Sequence, residues 1–294
     1  MQKYIVFSGA ADKIAFLYGA GVELIDQVGQ PDVYHGTSSG AICSLVLGTG
    51  ANLDKAKKTA LNLTAKDVFG YNPYSFRGFS IAVKNIIQGK SYIWKYNKLA
   101  STIKRIVTPK VFQSWLDDAH SPEIYVGYYD LRNKKYITHN LRNSTYEGAI
   151  NAVVASCSIP FVSDPLRDKG GVYYDGGLIN HSGAPWILSK LARKDDKVYS
   201  IYSRPKHQAE AKELSKSFSI FELMRPVYDV MQFNTSQSDE IEADLIAEKK
   251  GVFMRKIHPD EILMDGLFKT NSRKNLEMYK KGILATKKAL RYGI

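Results

Sequence analysis

The chain has 294 residues, 44% hydrophobic and 24% charged, an ordinary composition for a globular protein with room for one large α/β domain or two small ones. Lys and Arg number 41 against 29 Asp and Glu, a net charge of +12 that favours an anionic partner, either nucleic acid or an acidic membrane surface. No apolar run approaches the ~18 residues a membrane-spanning helix needs, two cysteines make no disulfide framework, and six scattered histidines show no metal-ligand spacing.

Tyr4-Ile5-Val6-Phe7 reads as a buried first strand, too short in its apolar stretch for a signal peptide. Ser8-Gly9-Ala10-Ala11-Asp12-Lys13 follows, a small-residue turn that presents backbone N–H groups, with Lys13 as a nearby positive charge. Ile14, Leu17, Tyr18, Val22, Ile25 and Val28 recur at three- and four-residue steps and predict an amphipathic helix. Next comes a short strand, Asp32-Val33-Tyr34-His35, running into Gly36-Thr37-Ser38-Ser39-Gly40. Ala41, Ile42, Leu45 and Val46 then give helical spacing. This G-x-S-x-G sequence between strand and helix is the pattern of a nucleophile elbow, with Ser38 on a tight turn and Gly36 and Gly40 allowing close packing.

Residues 69–79 predict an aromatic loop punctuated by proline and glycine, and residues 81–115 are mostly helical in pattern. Lys84, Lys90, Lys95, Lys98, Lys104, Arg105 and Lys110 are interleaved there with Tyr92, Trp94 and Tyr96, a mixture suited to solvated helix faces or a lipid headgroup interface. Residues 123–129 and 136–138 flank a polar turn and predict a hairpin. A helix over 146–155 follows, rich in alanine and valine. Val172-Tyr173-Tyr174 is a strand that delivers Asp175 into Gly176-Gly177 at a sheet edge, where the glycines admit other backbone; an ordinary Asp-Gly turn reads the same way. After a strand at Lys197-Val198-Tyr199-Ser200-Ile201-Tyr202 the remainder predicts helix, ending in one over 272–291 that buries Leu276, Tyr279, Ile283 and Leu290. Without repeats or linkers, residues 1–294 read as one domain, mostly helical from about 205 to 294. Cys43 and Cys157, in apolar or small-residue surroundings, predict buried free thiols in a cytoplasmic, reducing setting.

Three segments in this order resemble the patatin-like phospholipase family: Gly9-Ala10-Ala11-Asp12-Lys13, Gly36-Thr37-Ser38-Ser39-Gly40-Ala41 and Asp175-Gly176-Gly177-Leu178-Ile179-Asn180. Ala155-Ser156-Cys157-Ser158-Ile159-Pro160 and Asp130-Leu131 at the hairpin turn fit as well. The resemblance covers the chain to about Pro185 and implies a three-layer α/β/α fold with a central, mostly parallel sheet. It implies a dyad in which Ser38 is the nucleophile and Asp175 takes its proton, with an oxyanion hole at Gly9, Ala10, Ala11 and Lys13. The activity implied is lipid acyl hydrolysis of the phospholipase A or lysophospholipase type, on phospholipid or lysophospholipid, with no cofactor and no metal. It departs from the family in having Ala10 and Ala11 where glycines are usual and Lys13 in place of the commoner Arg; alanine tolerates positive φ poorly, and lysine keeps the charge without the bidentate fork.

A Ser-His-Asp esterase is the other enzymatic reading, because His181, His207 and His258 follow Ser38 and Asp175 in that order. A silent fold used for binding is the non-enzymatic one. No nucleic-acid motif is present. On the leading reading the aromatic segment and the basic residues Lys95, Lys98, Lys104 and Arg105 form a transient contact with an anionic, peripheral membrane surface. Regulation by homo-oligomerisation, a lid or a ligand stays open.

Overall fold

The structure is a computed structural model that describes residues 1–168, 170–206, 220–263 and 268–292, with the side chains of 220–229 and 292 outside that description. The N-terminal half begins as the hydrophobic spacing dictates: β1 (Lys3–Phe7), α1 (Ile14–Val28), β2 (Val33–Thr37) and α2 (Ser39–Gly48). Alternation along β1 sorts its side chains between two cores. Ile5 and Phe7 enter one cluster, Tyr4 and Val6 the other. The larger cluster packs α1 and α2 on one face of the sheet.

Helices α3 (Leu53–Asn62), α4 (Ala65–Phe69) and α5 (Phe76–Ile87) follow. The loop predicted over 69–79 is therefore shorter than its aromatic and proline content suggests. Ser75 accepts a hydrogen bond from the Gly78 N–H at 3.2 Å and caps α5, which places Phe76 and Phe79 on a helix. The predicted helical stretch is also interrupted. β3 (Tyr92–Trp94) precedes α6 (Leu99–Ile106) and α7 (Pro109–Asp117) and pairs in parallel with β6 (Phe161–Ser163), reached after β4 (Glu123–Asp130), β5 (Lys135–Asn140) and α8 (Tyr146–Ser156). The predicted hairpin is β4–β5, antiparallel.

β7 (Leu166–Asp168), β8 (Gly171–Asp175), α9 (Ala184–Lys190), β9 (Lys197–Ile201), α10 (Ile220–Lys250), β10 (Phe253–Ile257) and α11 (Ser272–Tyr292) complete the order. The main sheet runs β10-β9-β1-β2-β4-β8-β7, with β5 also on β4. Its β10–β9, β9–β1, β1–β2 and β2–β4 pairs are parallel, so the centre is the parallel sheet expected. α9 and α10 pack on the smaller cluster, completing three layers. The C-terminal part thus adds an edge strand, β10, as well as helices. In α11, Tyr279 is buried and Ile283 and Leu290 are half-buried, whereas Leu276 is exposed; Met278 takes the core position instead. None of the described helices is long and apolar enough to cross a membrane.

Candidate active site

The site is assembled along one edge of β4. β2 runs parallel to β4 and ends with Thr37 opposite Gly127. β8 runs antiparallel to the same strand and ends with Asp175 opposite Tyr128. Two strands thus approach head to head, so the residue after Thr37 and the last residue of β8 meet at neighbouring rungs. Those residues are Ser38 and Asp175.

Ser38 sits at φ 55° and ψ −126° between β2 and α2, the strained backbone of a nucleophile elbow. Its glycines have a steric reason. A Cβ on Gly36 would lie 2.2 Å from the Gly40 carbonyl oxygen, and one on Gly40 would lie 2.4 Å from that of Phe7. Ser156 holds the turn from behind: its Oγ accepts the Ser38 N–H at 2.8 Å and donates to the Gly127 carbonyl at 2.6 Å. Gly176 packs on that same carbonyl, where a Cβ would come within 2.5 Å.

Asp175 is buried. Its Oδ1 accepts the Gly177 N–H at 2.8 Å, while Oδ2 is enclosed with no hydrogen-bond partner of acceptable geometry among the described residues. Burial raises its pKa to about 7, and the Ser38 hydroxyl and the Gly177 amide keep it from rising further. The loop is fastened from α10, where Gln232 Nε2 donates to the Gly177 carbonyl at 3.1 Å.

The four positions expected in the oxyanion turn divide. The Gly9 N–H donates to the His181 carbonyl at 2.9 Å, so Gly9 is a packing position and not a free donor. Ala10 and Ala11 have N–H groups with no acceptor shown among the described residues, and Lys13 sets its charge beside Asp12 and His181. Ala11 adopts φ 48°, the conformation a glycine accepts freely; Ala10, at φ −150°, does not. Ser39 Oγ donates to the Ala11 carbonyl and fixes the strained turn against the elbow. A left-handed alanine costs ~1–2 kcal/mol, against ~0.5–1 kcal/mol for glycine's greater unfolded-state freedom. Ala11→Gly is therefore expected to stabilise the fold by about 0.5–1 kcal/mol in chemical denaturation, and a loss of stability would show that the turn is not strained.

Sequence reasoning did not single out Ser39, Ser156, Gln232 or Asp12. Asp12 is buried with neither carboxyl oxygen in an acceptable hydrogen bond among the described residues; burial raises its pKa to about 6 against the opposing pull of Lys13 and nearby backbone amides.

Ser38 lines an apolar cavity of about 40 Å³ together with Asp12, Val68, Tyr96, Cys157 and Phe268. A second apolar cavity of about 50 Å³ lies behind it, walled by Tyr18, Val46, Ala56, Ala60 and Ile103. Ile14, Ile42, Leu63 and Leu99 line both and form the partition between them. Cys43 and Cys157 are free and buried, as expected.

No described histidine hydrogen-bonds to Ser38 or Asp175. His35 is enclosed against Trp186 and Gly183, and burial lowers its pKa to about 3. His181 is buried behind Gly9, its pKa likewise near 3 through burial and the charges of Arg204 and Lys13. His258 stacks on Tyr202 at 4.5 Å and pairs with Glu240 at 3.4 Å. His207 lies outside the described residues. Of the basic residues expected at a membrane, Lys95 and Lys98 are exposed, but Lys104 pairs with Glu147 at 2.7 Å and Arg105 with Asp67 at 3.5 Å.

Among solved structures the chain is similar to VipD from Legionella pneumophila (12% identity over 98% of this chain and 67% of that one, TM-score 0.48). It is also similar to human GIVD cytosolic phospholipase A2, solved with a fluorophosphonate inhibitor (12%, 68% and 40%, TM-score 0.36), and to ExoU of Pseudomonas aeruginosa in complex with SpcU (11%, 85% and 52%, TM-score 0.37). It thus spans about half or less of the latter two chains' lengths. No curated protein sequence matches it. Residues 5–185, which hold the small-residue turn, the elbow and the Asp-Gly-Gly loop, match the patatin-like phospholipase profile, and the chain belongs to that family.

Proposed function

We propose that this protein hydrolyses fatty-acyl esters of phospholipids or lysophospholipids through an acyl-enzyme on Ser38, with Asp175 as the base. The observation that carries the reading is the meeting of a strained, N-terminally placed Ser38 with a buried Asp175 on adjacent rungs of β4, beside an apolar cavity. A serine hydroxyl needs a base to attack an ester at neutral pH. A carboxyl with its pKa near 7 is matched to that task far better than one near ~3.9.

Ser38 Oγ bonds to the ester carbonyl carbon as its proton passes to Asp175. The oxyanion accepts hydrogen bonds from the N–H groups of Ala10 and Ala11, and from Ser39 at the start of α2. Collapse of the tetrahedral intermediate breaks the ester C–O bond, and Asp175 returns the proton to the departing alcohol. Water then attacks the acyl-serine, Asp175 takes its proton, and the free fatty acid leaves as Ser38 is reprotonated. The two apolar cavities supply a low-dielectric wall for the acyl chain; passage into the second requires Ile14, Ile42, Leu63 and Leu99 to yield.

Fatty-acid release from mixed phospholipid vesicles tests the reading. Ser38→Ala and Asp175→Ala are expected to abolish release while His181→Ala retains it. Release that survives Ser38→Ala, or that disappears with His181→Ala in a folded protein, would contradict the dyad.

A further inference from the structure

Helix α5 is oriented the wrong way round for a helix that closes a core. Its small and polar residues Gly78, Ala82 and Asn85 are buried, while Phe76 is 90% exposed, Phe79 56%, Ile86 55% and Ile87 80%. With half-buried Val83 between them, these fall at three- and four-residue steps on one outward face. The inversion is built in: Asn85 Nδ2 donates to the Ile93 carbonyl at 2.8 Å, and Trp94 Nε1 donates to the Gly78 carbonyl at 3.2 Å. These bonds pin the polar side of α5 to β3. Phe161 on the strand paired with β3 is also 72% exposed.

The segment that carries this stripe has charge of one sign, and the nearby acid on β6's side, half-buried Asp164, is engaged in accepting the Tyr96 N–H at 3.0 Å. Between Asp67 and Asp117 the sequence contains no acidic residue, whereas Arg77, Lys84, Lys90, Lys95, Lys98, Lys104, Arg105 and Lys110 are all basic. Arg77, Lys84, Lys90, Lys95 and Lys98 are exposed. An outward apolar stripe on a segment whose exposed charges are all cationic suits the plane between lipid headgroups and acyl chains, and anionic lipid supplies the opposite charge.

The stripe is also connected to the site. Phe69 packs on Trp94 at 5.7 Å, Tyr96 at 5.2 Å and Phe268 at 4.8 Å, and Tyr96 and Phe268 line the Ser38 cavity. We infer that α5 is a membrane-docking helix that lies in the surface of an anionic bilayer through Phe76, Phe79, Ile86 and Ile87, with Lys84, Lys90 and Lys95 binding headgroups. The inference extends the lipid-hydrolase reading to how the substrate is reached, and replaces the ion-paired Lys104 and Arg105 as the docking cations. It stands or falls separately from catalysis.

The test is co-sedimentation of Ser38→Ala protein, which cannot alter the lipid through Ser38, with phosphatidylcholine vesicles with and without phosphatidylserine. Binding is expected to need phosphatidylserine, to fall with added salt, and to drop about tenfold or more when Phe76, Phe79 and Ile87 are changed together to serine. Lys84→Gln, Lys90→Gln and Lys95→Gln together should remove the preference for anionic vesicles, while Lys274→Gln and Lys280→Gln on α11 should not. Unchanged binding by the serine variant, checked for an unchanged melting curve, overturns the inference. So does a dimer of the unmodified protein that the serine changes dissociate without affecting vesicle binding, since the stripe would then be a contact between copies.

Discussion

Asp175→Asn is expected to make the protein more stable at pH 8 while removing its activity. The carboxyl is ionised there at a cost, because burial raises its native pKa to about 7 against ~3.9 in an unfolded chain. The native state therefore holds this proton over a range where the unfolded state has released it. Its relative stabilisation is complete below pH ~4 and lost as pH rises through about 7. Asparagine has no charge to bury and its carbonyl can still accept the Gly177 N–H. The variant should gain roughly 2–4 kcal/mol over wild type at pH 8, narrowing to nothing near pH 4. Comparing the two proteins isolates this group from Asp12 and Asp239, whose pKa values are also raised by burial, to about 6 and about 7. Denaturant melts at both pH values measure the difference; equal stability at pH 8 would mean that Asp175 is not a buried ionised base. Fatty-acid release by the variant should fall by ~10²–10⁴-fold, the usual contribution of a general base.

The elbow predicts the second large effect. Gly40→Ala would place a methyl 2.4 Å from the Phe7 carbonyl oxygen and 2.6 Å from that of Ser8. Both are backbone atoms of the sheet and the small-residue turn after it, so no rotamer change relieves the clash, and α2 has to lift from β1. A loss of about 3 kcal/mol or more is expected, at the upper end of overpacking costs. Gly50→Ala is the matched control. Gly50 has φ 63° and open space around its missing Cβ, so alanine there costs only the left-handed strain, ~1–2 kcal/mol. Urea melts of the two variants separate crowding from conformation. If Gly40→Ala costs no more than Gly50→Ala, close packing is not why the elbow carries glycine.

The parts of this molecule legible in the sequence are those with a strong local cause. Gly36 and Gly40 announce a turn that only missing Cβ atoms permit, and the spacing of Ile14, Leu17 and Tyr18 announces α1. Ser38 and Asp175 were legible as motifs, but their meeting was not. It depends on β2 and β8, strands more than a hundred residues apart in the chain, both pairing along one edge of β4. Ser156 was hidden for a related reason: in an Ala-rich helix its spacing carries no sign that its hydroxyl bridges Ser38 and Gly127. β3 and β6 are too short for alternation to register, and β10 lies inside the stretch after 205 that reads as mostly helical. Residues 69–79 read as a loop because Gly70, Pro73 and Gly78 punctuate the aromatics, yet only Gly70 and Pro73 lie between helices and Gly78 is buried inside α5. Gly9 reads as an oxyanion donor in the sequence, but its N–H is taken by the His181 carbonyl.

On the proposed mechanism Ser38 carries the acyl group, which incubating the protein with a phosphatidylcholine substrate, quenching in acid during the first turnovers and weighing the peptide that contains Ser38 would reveal. A mass increase equal to one fatty-acyl group on that peptide, absent from Ser38→Ala, is the predicted result. Fatty acid released at the wild-type rate by Ser38→Ala, with no acyl mass on the wild-type peptide, would contradict it.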